Sequence, residues 1–268
     1  MSLQPAEIIQ AAEDLYAAEK SGQQIGLISL QYKYIDMADA YAIQTALVEK
    51  KLAQGRHIIG WKIGLTSKAM QYALNINTPD SGALLDDMAF STGELVPKGR
   101  FIQPRIEAEI AFVMNSDITG ENITRKDVIE ATDYVTPSLE ILDTRIKRSD
   151  PITGETRKAL DTISDNAANA GIVLGEERHA LDTHDVRWVG AIVKRNTIVE
   201  ETGLGAGVLN DPVESVVWLV QHMSQYDRVI RKGDIILSGS FIRPIECYAG
   251  SHIEADFGDF GYIQISFE

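Results

Sequence analysis

The hydrophobic positions in the first fifth of the chain recur at helical spacing in two segments. The first segment starts at Pro5, which suits the first turn of a helix, and ends before Gly22; its apolar residues are Ile8, Ile9, Ala12, Leu15 and Tyr16. The second segment begins with Asp36 as a helix cap and Asp39 three residues later, and it runs to Gly55. Both patterns predict amphipathic helices that pack one face on a core.

The pattern changes after the second helix. An apolar, β-branched run predicts a buried strand over residues 58–65, and Lys62 lies inside that run. Thr66 or Ser67 then predicts the cap of a short helix that reaches Leu74.

The rest of the chain is rich in short apolar segments separated by turns. Strands are predicted at residues 106–114, 138–142, 170–174, 186–194, 234–237 and 262–267. Helices are predicted near residues 125–134 and 212–223. Helices followed mostly by strands favour an α+β protein with a rolled or barrel-like mixed sheet. We expect an N-terminal helical portion over residues 1–80 and a strand-rich catalytic domain over residues 81–268.

Composition narrows the class of protein. The chain has 268 residues, 44% of them hydrophobic, and a formal net charge of −14. This acidic balance disfavours nucleic-acid binding, and the sequence has no apolar run near the roughly 20 residues that a membrane helix needs. The single cysteine, Cys247, fits a reducing compartment, so we expect a cytoplasmic protein.

Three carboxylates in apolar segments are candidates for a metal site. Strand alternation puts Glu107 and Glu109 on one face, about 6.6 Å apart along the chain. For an isolated pair of this kind a solvated face is the more frequent arrangement. Glu140 is a third carboxylate in an apolar segment, where an unpaired charge is destabilising. Three oxygen ligands suit Mg²⁺ or Mn²⁺.

Two further residues are candidates for proton transfer. Burial of Lys62 would lower its pKa towards the range useful for acid–base chemistry. A Schiff-base role and a lysine that extends from a strand end to solvent are the alternatives. Asp80 lies in a Pro-Asp-Ser-Gly sequence that by itself is typical of a turn.

Taken together, three motifs resemble the hydratase/decarboxylase family of the fumarylacetoacetate hydrolase superfamily, whose members act in aromatic meta-cleavage pathways. The motifs lie at residues 60–71, 104–111 and 139–143. The resemblance continues through residues 161–171 and 233–240, so it covers nearly the whole chain in order.

This resemblance implies a fumarylacetoacetate-hydrolase-like fold, a bound Mg²⁺ or Mn²⁺ ion and a homo-oligomer. It also implies roles for particular residues: metal ligands at Glu107, Glu109 and Glu140, an active-site lysine at Lys62 and an acid–base aspartate at Asp80. The last assignment replaces the turn-only interpretation of Asp80. Ser81 departs from the family pattern, which has an aromatic residue there. The resemblance therefore does not predict the shape of the pocket wall beside Asp80.

The implied activity is metal-dependent addition of water to a 2-hydroxy-2,4-dienoate or 2-oxo-4-enoate, which gives a 4-hydroxy-2-oxo acid. The run at residues 165–171 and the long segment at 148–158 favour a seven-carbon dicarboxylate of 4-hydroxyphenylacetate catabolism. A second carboxylate needs local cations in so acidic a protein, and the candidates are Arg148, Arg157 and Lys158. An exposed charged loop is the alternative. Further substrate contacts are expected at Ser164, Asn166 and Ser240.

Three other functions stay open at this point. The same site could hydrate a five-carbon 2-hydroxydienoate or decarboxylate 4-oxalocrotonate. A non-catalytic subunit that supports a pathway decarboxylase is the alternative outside enzymes, and an active homo-oligomer could itself associate with a pathway decarboxylase or aldolase. A structural subunit would not require the intact set of lysine, aspartate and three glutamates, so this set favours an enzyme.

Overall fold

The computed structural model describes residues 2–73, 76 and 78–268. The helices of this part of the chain are α1 (Pro5–Ser21), α2 (Ile28–Gln31), α3 (Met37–Leu52), α4 (Lys68–Ala73), α5 (Arg125–Ala131), α6 (Ala159–Ser164) and α7 (Pro212–Ser224). The predicted end of the short helix at Leu74 lies outside the described residues. None of the helices described is long and apolar enough to cross a membrane.

Two sheets are built from the strands. The strands are β1 (Ile58–Gly64), β2 (Asp80–Leu85), β3 (Ala89–Ser91), β4 (Leu95–Val96), β5 (Arg105–Met114), β6 (Thr132–Leu142), β7 (Asn169–Leu174), β8 (Gly190–Arg195), β9 (Ile198–Leu204), β10 (Ile235–Leu237), β11 (Ile245–Glu246), β12 (His252–Asp256) and β13 (Tyr262–Phe267). An eight-stranded mixed sheet has the order β2-β1-β10-β5-β6-β7-β3, with β11 paired to β5. A five-stranded sheet has the order β4-β13-β12-β8-β9. Helices, mixed strands and this chain order confirm the predicted α+β class.

The N-terminal helices pack on the segment between β6 and β7. Leu15 of α1 and Ile43 of α3 share an apolar cluster with Ile146 and Ile163, which lie more than a hundred residues later. Asp161 accepts hydrogen bonds from the backbone N–H and the hydroxyl of Ser29, both at 2.8 Å. The helices therefore support the segment that covers the candidate site described below.

The predicted boundary between residues 80 and 81 stays a prediction. In the structure β1 lies inside the eight-stranded sheet, between β2 and β10, so this sheet is built from strands on both sides of that boundary.

The local predictions agree with the structure where a cap or a long apolar pattern defines the element. Gly22 ends α1 with a φ of 69°, and Asp36 caps α3 by accepting the Asp39 backbone N–H. The helix predicted over residues 125–134 is wrong at its end, because β6 already begins at Thr132. Backbone pairing between β6 and β5 reaches Thr132 and outweighs the helical pattern there.

Candidate metal and acid–base site

Three glutamates meet at the pairing of the two longest strands. In the antiparallel register, Glu107 of β5 lies opposite Glu140 of β6, and Glu109 follows two residues later on the same face. Carboxylate oxygens of all three residues lie within 4.8 Å of one another. The structure therefore brings together the three carboxylates that the sequence predicts as metal ligands.

Burial makes these carboxylates costly in the ionised form. Burial first, and then repulsion from Glu140, raise the pKa of Glu107 to about 8 and raise the pKa of Glu109. Burial also raises the pKa of Glu140 against the opposing effect of Lys62. Both oxygens of Glu140 and one oxygen of Glu109 have no hydrogen-bond partner among the described residues. Buried acceptors of this kind need a compensating cation.

A glycine donates a backbone hydrogen bond to this cluster. The N–H of Gly239 donates to the Glu109 Oε2 atom at 2.7 Å. Gly239 has a φ of +113°, and a Cβ there would lie 2.4 Å from the Thr66 hydroxyl. Only glycine fits both the backbone conformation and the available space, so the hydrogen bond to Glu109 requires glycine at position 239.

Lys62 lies close enough to the three glutamates for their charges to act on it. Its Nζ atom is 3.3 Å from the Glu140 Oε1 atom, and the residue is 3% exposed. Burial alone would lower the pKa of Lys62, but the carboxylates, led by Glu140 and Asp80, outweigh it and raise the pKa above the ordinary value. The sequence-based expectation of a lowered pKa is therefore wrong, because the opposing charges arrive from distant strands.

Asp80 lies beside Lys62 because of the pairing of β1 and β2. Gly64 is the partner of Asp80 in this antiparallel register, and Lys62 lies two residues before Gly64 on the same face. Burial raises the pKa of Asp80, against the opposing effects of Lys62, the Gly64 backbone N–H and Arg157. Asp80 is thus a strand residue that points at the lysine, and the turn interpretation of its sequence is wrong.

A cavity of about 260 Å³ joins these groups to a set of cations. Lys62, Asp80 and Glu107 line it. The cationic residues in its lining are Arg105, Arg148, Arg157 and Lys158. Sequence reasoning missed Arg105, although the alternation that paired Glu107 with Glu109 extends one step back to it.

A left-handed turn forms part of the cavity wall. Asn166, Ala167 and Ala168 have φ values of 51°, 53° and 59°, and both alanines line the cavity. Such φ values cost roughly 1–2 kcal/mol per non-glycine residue. The Asn166 side chain offsets this cost, since it accepts from the Ala83 N–H at 2.8 Å and donates to the Ala83 C=O at 2.9 Å.

Three of the predicted substrate contacts lie outside the cavity lining of the described residues. The Ser164 hydroxyl donates to the Leu160 carbonyl at 2.8 Å, and the Asn166 side chain binds Ala83. The Ser240 hydroxyl donates to the Ile242 carbonyl at 2.9 Å. Ser81 lines a separate small cavity with Tyr41 and is not among the described residues that line the cavity beside Asp80.

The residues present fit a hard divalent cation. The three clustered carboxylates supply anionic oxygen ligands, and those of Glu109 and Glu140 include buried oxygens without a hydrogen-bond partner among the described residues. Open space in the adjoining cavity leaves room for further oxygen ligands. The three glutamates would hold the ion.

Known proteins are similar to this chain over nearly its full length. Residues 74–267 match the fumarylacetoacetate (FAA) hydrolase C-terminal family. The chain is 50% identical over 256 residues to a 2-oxo-hept-4-ene-1,7-dioate hydratase of Escherichia coli, with 96% of each chain covered. It is 36% identical over 264 residues to a 2-keto-4-pentenoate hydratase of Paraburkholderia xenovorans strain LB400, covering 98% of this chain and 96% of the relative.

Solved structures extend this similarity to three dimensions. A 4-oxalocrotonate decarboxylase from Pseudomonas putida G7, complexed with magnesium and adipate, matches with a TM-score of 0.93 and 29% identity over 99% of both chains. A fumarylpyruvate hydrolase from Pseudomonas aeruginosa, in complex with Mn²⁺ and pyruvate, matches with a TM-score of 0.59 and 12% identity. It covers 77% of this chain and 88% of the hydrolase, and it supports the fold alone.

Proposed function

This chain belongs to the fumarylacetoacetate hydrolase family, and from that premise we propose that it is a divalent-metal-dependent hydratase. Its reaction adds water to a 2-hydroxy-2,4-dienoate, or the corresponding 2-oxo-4-enoate, and yields a 4-hydroxy-2-oxo acid. The proposed substrate is the seven-carbon diacid 2-oxohept-4-ene-1,7-dioate of 4-hydroxyphenylacetate catabolism. The 50% identical relative is named for this substrate.

The observation that carries the proposal is that Lys62, Asp80 and Glu107 line one cavity, and that Glu107 is clustered with Glu109 and Glu140. Proton donors and acceptors next to a hard-cation site are what ketonisation and hydration of a dienol acid require. A Mg²⁺ or Mn²⁺ ion held by Glu107, Glu109 and Glu140 would supply Lewis-acid stabilisation of the negative charge that develops on a 2-oxo acid.

Lys62 and Asp80 are the proposed proton-transfer pair. The surrounding carboxylates favour the ammonium form of Lys62, which makes it the proposed donor to the far carbon of the dienol. Asp80 has a buried Oδ1 atom without a hydrogen-bond partner among the described residues, and we assign it the activation of water. Both groups lie within 3.0 Å of the point where a Cβ on Gly64 would stand, so they can act on one bound molecule.

A diacid substrate fits the cations that line the cavity. Arg157 and Lys158 line the cavity together with Arg148 and Arg105, and cations there favour a second carboxylate. The structurally similar decarboxylase was solved with adipate, which is also a dicarboxylate. We propose indirect roles for Ser164, Asn166 and Ser240, which hold the backbone around the cavity.

The test is a time course by NMR of the Mg²⁺-loaded protein with 2-hydroxyhepta-2,4-dienedioate, beside a protein treated with chelator. Metal-dependent formation of 4-hydroxy-2-oxoheptanedioate supports the hydratase. Release of CO₂ from 4-oxalocrotonate without any hydration would instead identify a decarboxylase, the second candidate, which the structural similarity to the P. putida decarboxylase favours. Absence of turnover on both substrates would favour a structural partner subunit of such a decarboxylase.

We also propose that the enzyme acts in the cytoplasm as a homo-oligomer. The five-stranded sheet and the segment before it expose large apolar side chains, and those of Trp188, Ile198 and Leu204 are 74%, 68% and 45% exposed. Exposed apolar residues on this sheet and on the segment before it favour burial against another subunit. Light scattering during size-exclusion chromatography measures the subunit number, and a monomer at micromolar concentration would contradict this part of the proposal.

A further inference from the structure

Residues 148–157 form a small hairpin whose two ends deliver arginines to the cavity. The Arg157 N–H donates to the Arg148 carbonyl at 2.9 Å, and Ser149 pairs with Thr156. Asp150 closes the turn, because its carboxylate accepts the Thr153 backbone N–H at 2.7 Å. Backbone bonds hold this hairpin, so its geometry does not depend on the arginine side chains.

The two hairpin arginines differ in their partners. The Arg157 guanidinium donates to the Thr144 hydroxyl and is fixed by it. The half-buried Arg148 guanidinium has no hydrogen-bond or ion-pair partner in the described part of the chain. Burial, and then the nearby Arg105 and Arg157, lower the pKa of Arg148 to about 10. A half-buried cation beside two other cations is a site that an anion stabilises.

Arg105 adds a second unsatisfied donor at the same place. It pairs with Glu246 through Nη2 at 2.6 Å, but its buried Nε has no acceptor among the described residues. Arg105 lies two residues before Glu107 on β5, so it shares the face of the metal-site glutamates at a distance of about 6.6 Å along the strand. A ligand that extends from the glutamate cluster along this face reaches Arg105.

Both arginines also stand at the border of a second cavity of about 540 Å³. Arg105 and Arg148 line this cavity as well as the one that contains Lys62. They therefore lie where the catalytic cavity borders the larger space.

We propose that Arg148, with Arg105 beside it, is the residue that selects a dicarboxylate by binding the carboxylate farthest from the metal-site glutamates. This assignment rests on the proposed function for the identity of the substrate. It singles out Arg148 among the cations of the cavity. One nitrogen of Arg157 is held by the Thr144 hydroxyl, Arg105 is ion-paired with Glu246, and Lys158 is 56% exposed and lies 3.5 Å from Glu155.

Two measurements on the Mg²⁺-loaded protein test the assignment. The first compares kcat/KM for 2-hydroxyhepta-2,4-dienedioate and for the monoacid 2-hydroxypenta-2,4-dienoate in the natural protein, Arg148→Gln and Arg148→Lys. Arg187→Gln is the matched control, because Arg187 is half exposed and pairs with Asp185 away from both cavities. The second measures binding of adipate and hexanoate by calorimetry, which needs no turnover.

We expect Arg148→Gln to lower kcat/KM for the diacid by about 10- to 100-fold, the loss that fits one charge-assisted hydrogen-bonded pair. The change for the monoacid should stay within about 3-fold, and Arg148→Lys should recover part of the diacid activity. Adipate should bind the natural protein more tightly than hexanoate, and Arg148→Gln should remove this difference.

The outcomes separate this inference from the proposed function. If the natural protein hydrates neither acid, the proposed function fails, and the adipate measurement still decides the role of Arg148. If Arg148→Gln loses activity on both acids equally, or keeps the preference for adipate, Arg148 does not select the dicarboxylate and the inference is overturned. A loss confined to the diacid and to adipate supports it.

Discussion

The Asp80 carboxylate occupies the space that a side chain on Gly64 would need. The two residues are partners in the register of β1 and β2, and a Cβ on Gly64 would lie 2.2 Å from Asp80 Oδ1 and 3.0 Å from Lys62 Nζ. This requirement for glycine is steric, because the φ of Gly64 lies outside the left-handed region. One missing side chain thus lets an aspartate and a lysine approach the same point.

Gly64→Ala should therefore displace Asp80 and reduce catalysis. Contacts under 3.0 Å force a shift of the neighbouring atoms, and overpacking of this kind costs about 1–3 kcal/mol of stability. We expect kcat to fall by about 100-fold or more, since a small misplacement of catalytic groups has effects of this size. Gly26→Ala is the control, because a Cβ on Gly26 meets no atom within 4 Å. If the NMR assay gave the wild-type kcat for Gly64→Ala, catalysis would not require the absence of a side chain at position 64.

Glu140→Gln should separate metal binding from folding. Adding Mg²⁺ at 100 times its dissociation constant stabilises the natural protein by about 2.7 kcal/mol, which raises its melting temperature. The variant loses a ligand, so it should lose most of this gain. The scans are compared as Mg²⁺-induced shifts, because the variant also loses the buried ion pair of Glu140 with Lys62 and can melt at a lower temperature when chelator is present.

The matched control for Glu140→Gln is Glu130→Gln, at a position 65% exposed on α5. Calorimetric scans with and without Mg²⁺ provide the measurement. An equal Mg²⁺-induced shift in Glu140→Gln and in the natural protein would place the metal elsewhere.

His222 should make stability fall at mildly acidic pH. It stacks on Trp218 with ring centroids 4.8 Å apart and also contacts Tyr41 and Tyr226. Burial, and then the charge of Arg228, lower the pKa of His222 below its ordinary value of 6.5. The unfolded chain then binds a proton at a higher pH than the folded chain does. The contribution of neutral His222 to the free energy of unfolding is therefore complete above pH 6.5 and is lost as the pH falls through the lowered pKa.

Urea unfolding at pH 8 and at mildly acidic pH checks this prediction. The natural protein should lose more free energy of unfolding between the two pH values than His222→Gln does. His57→Gln, at a position whose side chain is 79% exposed, is the control and should behave like the natural protein. Equal losses in all three proteins would show that His222 does not titrate differently on folding.

Local patterns predicted the elements that carry their own signals. Tyr262–Phe267 alternates apolar and polar residues and is a strand with these bounds, and the cap at Asp36 begins α3. β2 carries no such signal, because its sequence starts with residues typical of turns. It is a strand because β1 offers a ladder of hydrogen bonds and because Gly82 leaves room for the Asn166 carbonyl, which would lie 2.6 Å from a Cβ there.

The residues of the candidate site likewise include some that a local pattern predicts and some that depend on distant parts of the chain. Alternation alone puts Glu107 beside Glu109, and the apolar segments around Glu140 and Lys62 marked these two residues as candidates. The resemblance to a family assigned their roles and replaced the turn interpretation of Asp80. The position of Lys62 depends on β10, which lies between β1 and β5 in the sheet and begins at Ile235, 173 residues after Lys62. The direction of its pKa shift follows from that long-range pairing, so the local sequence could not give it.

Lys62→Met is the most direct test of proton transfer. Removal of a positioned acid lowers rates by about 10²- to 10⁴-fold, and we expect this loss in kcat for hydration, with a smaller change in KM. The Mg²⁺-induced rise in melting temperature should persist, because all three glutamates remain. Lys50→Met, which removes a partly exposed lysine paired with Glu13, is the control and should keep its activity.

The same position tests the competing role of a Schiff-base lysine. The carboxylates around Lys62 hold it as an ammonium ion, which has no free electron pair to attack a carbonyl. Borohydride added during turnover should therefore leave the mass of the protein unchanged. A reduced adduct on Lys62 would replace proton transfer with covalent catalysis, and a natural rate of hydration in Lys62→Met would remove the lysine from the mechanism altogether.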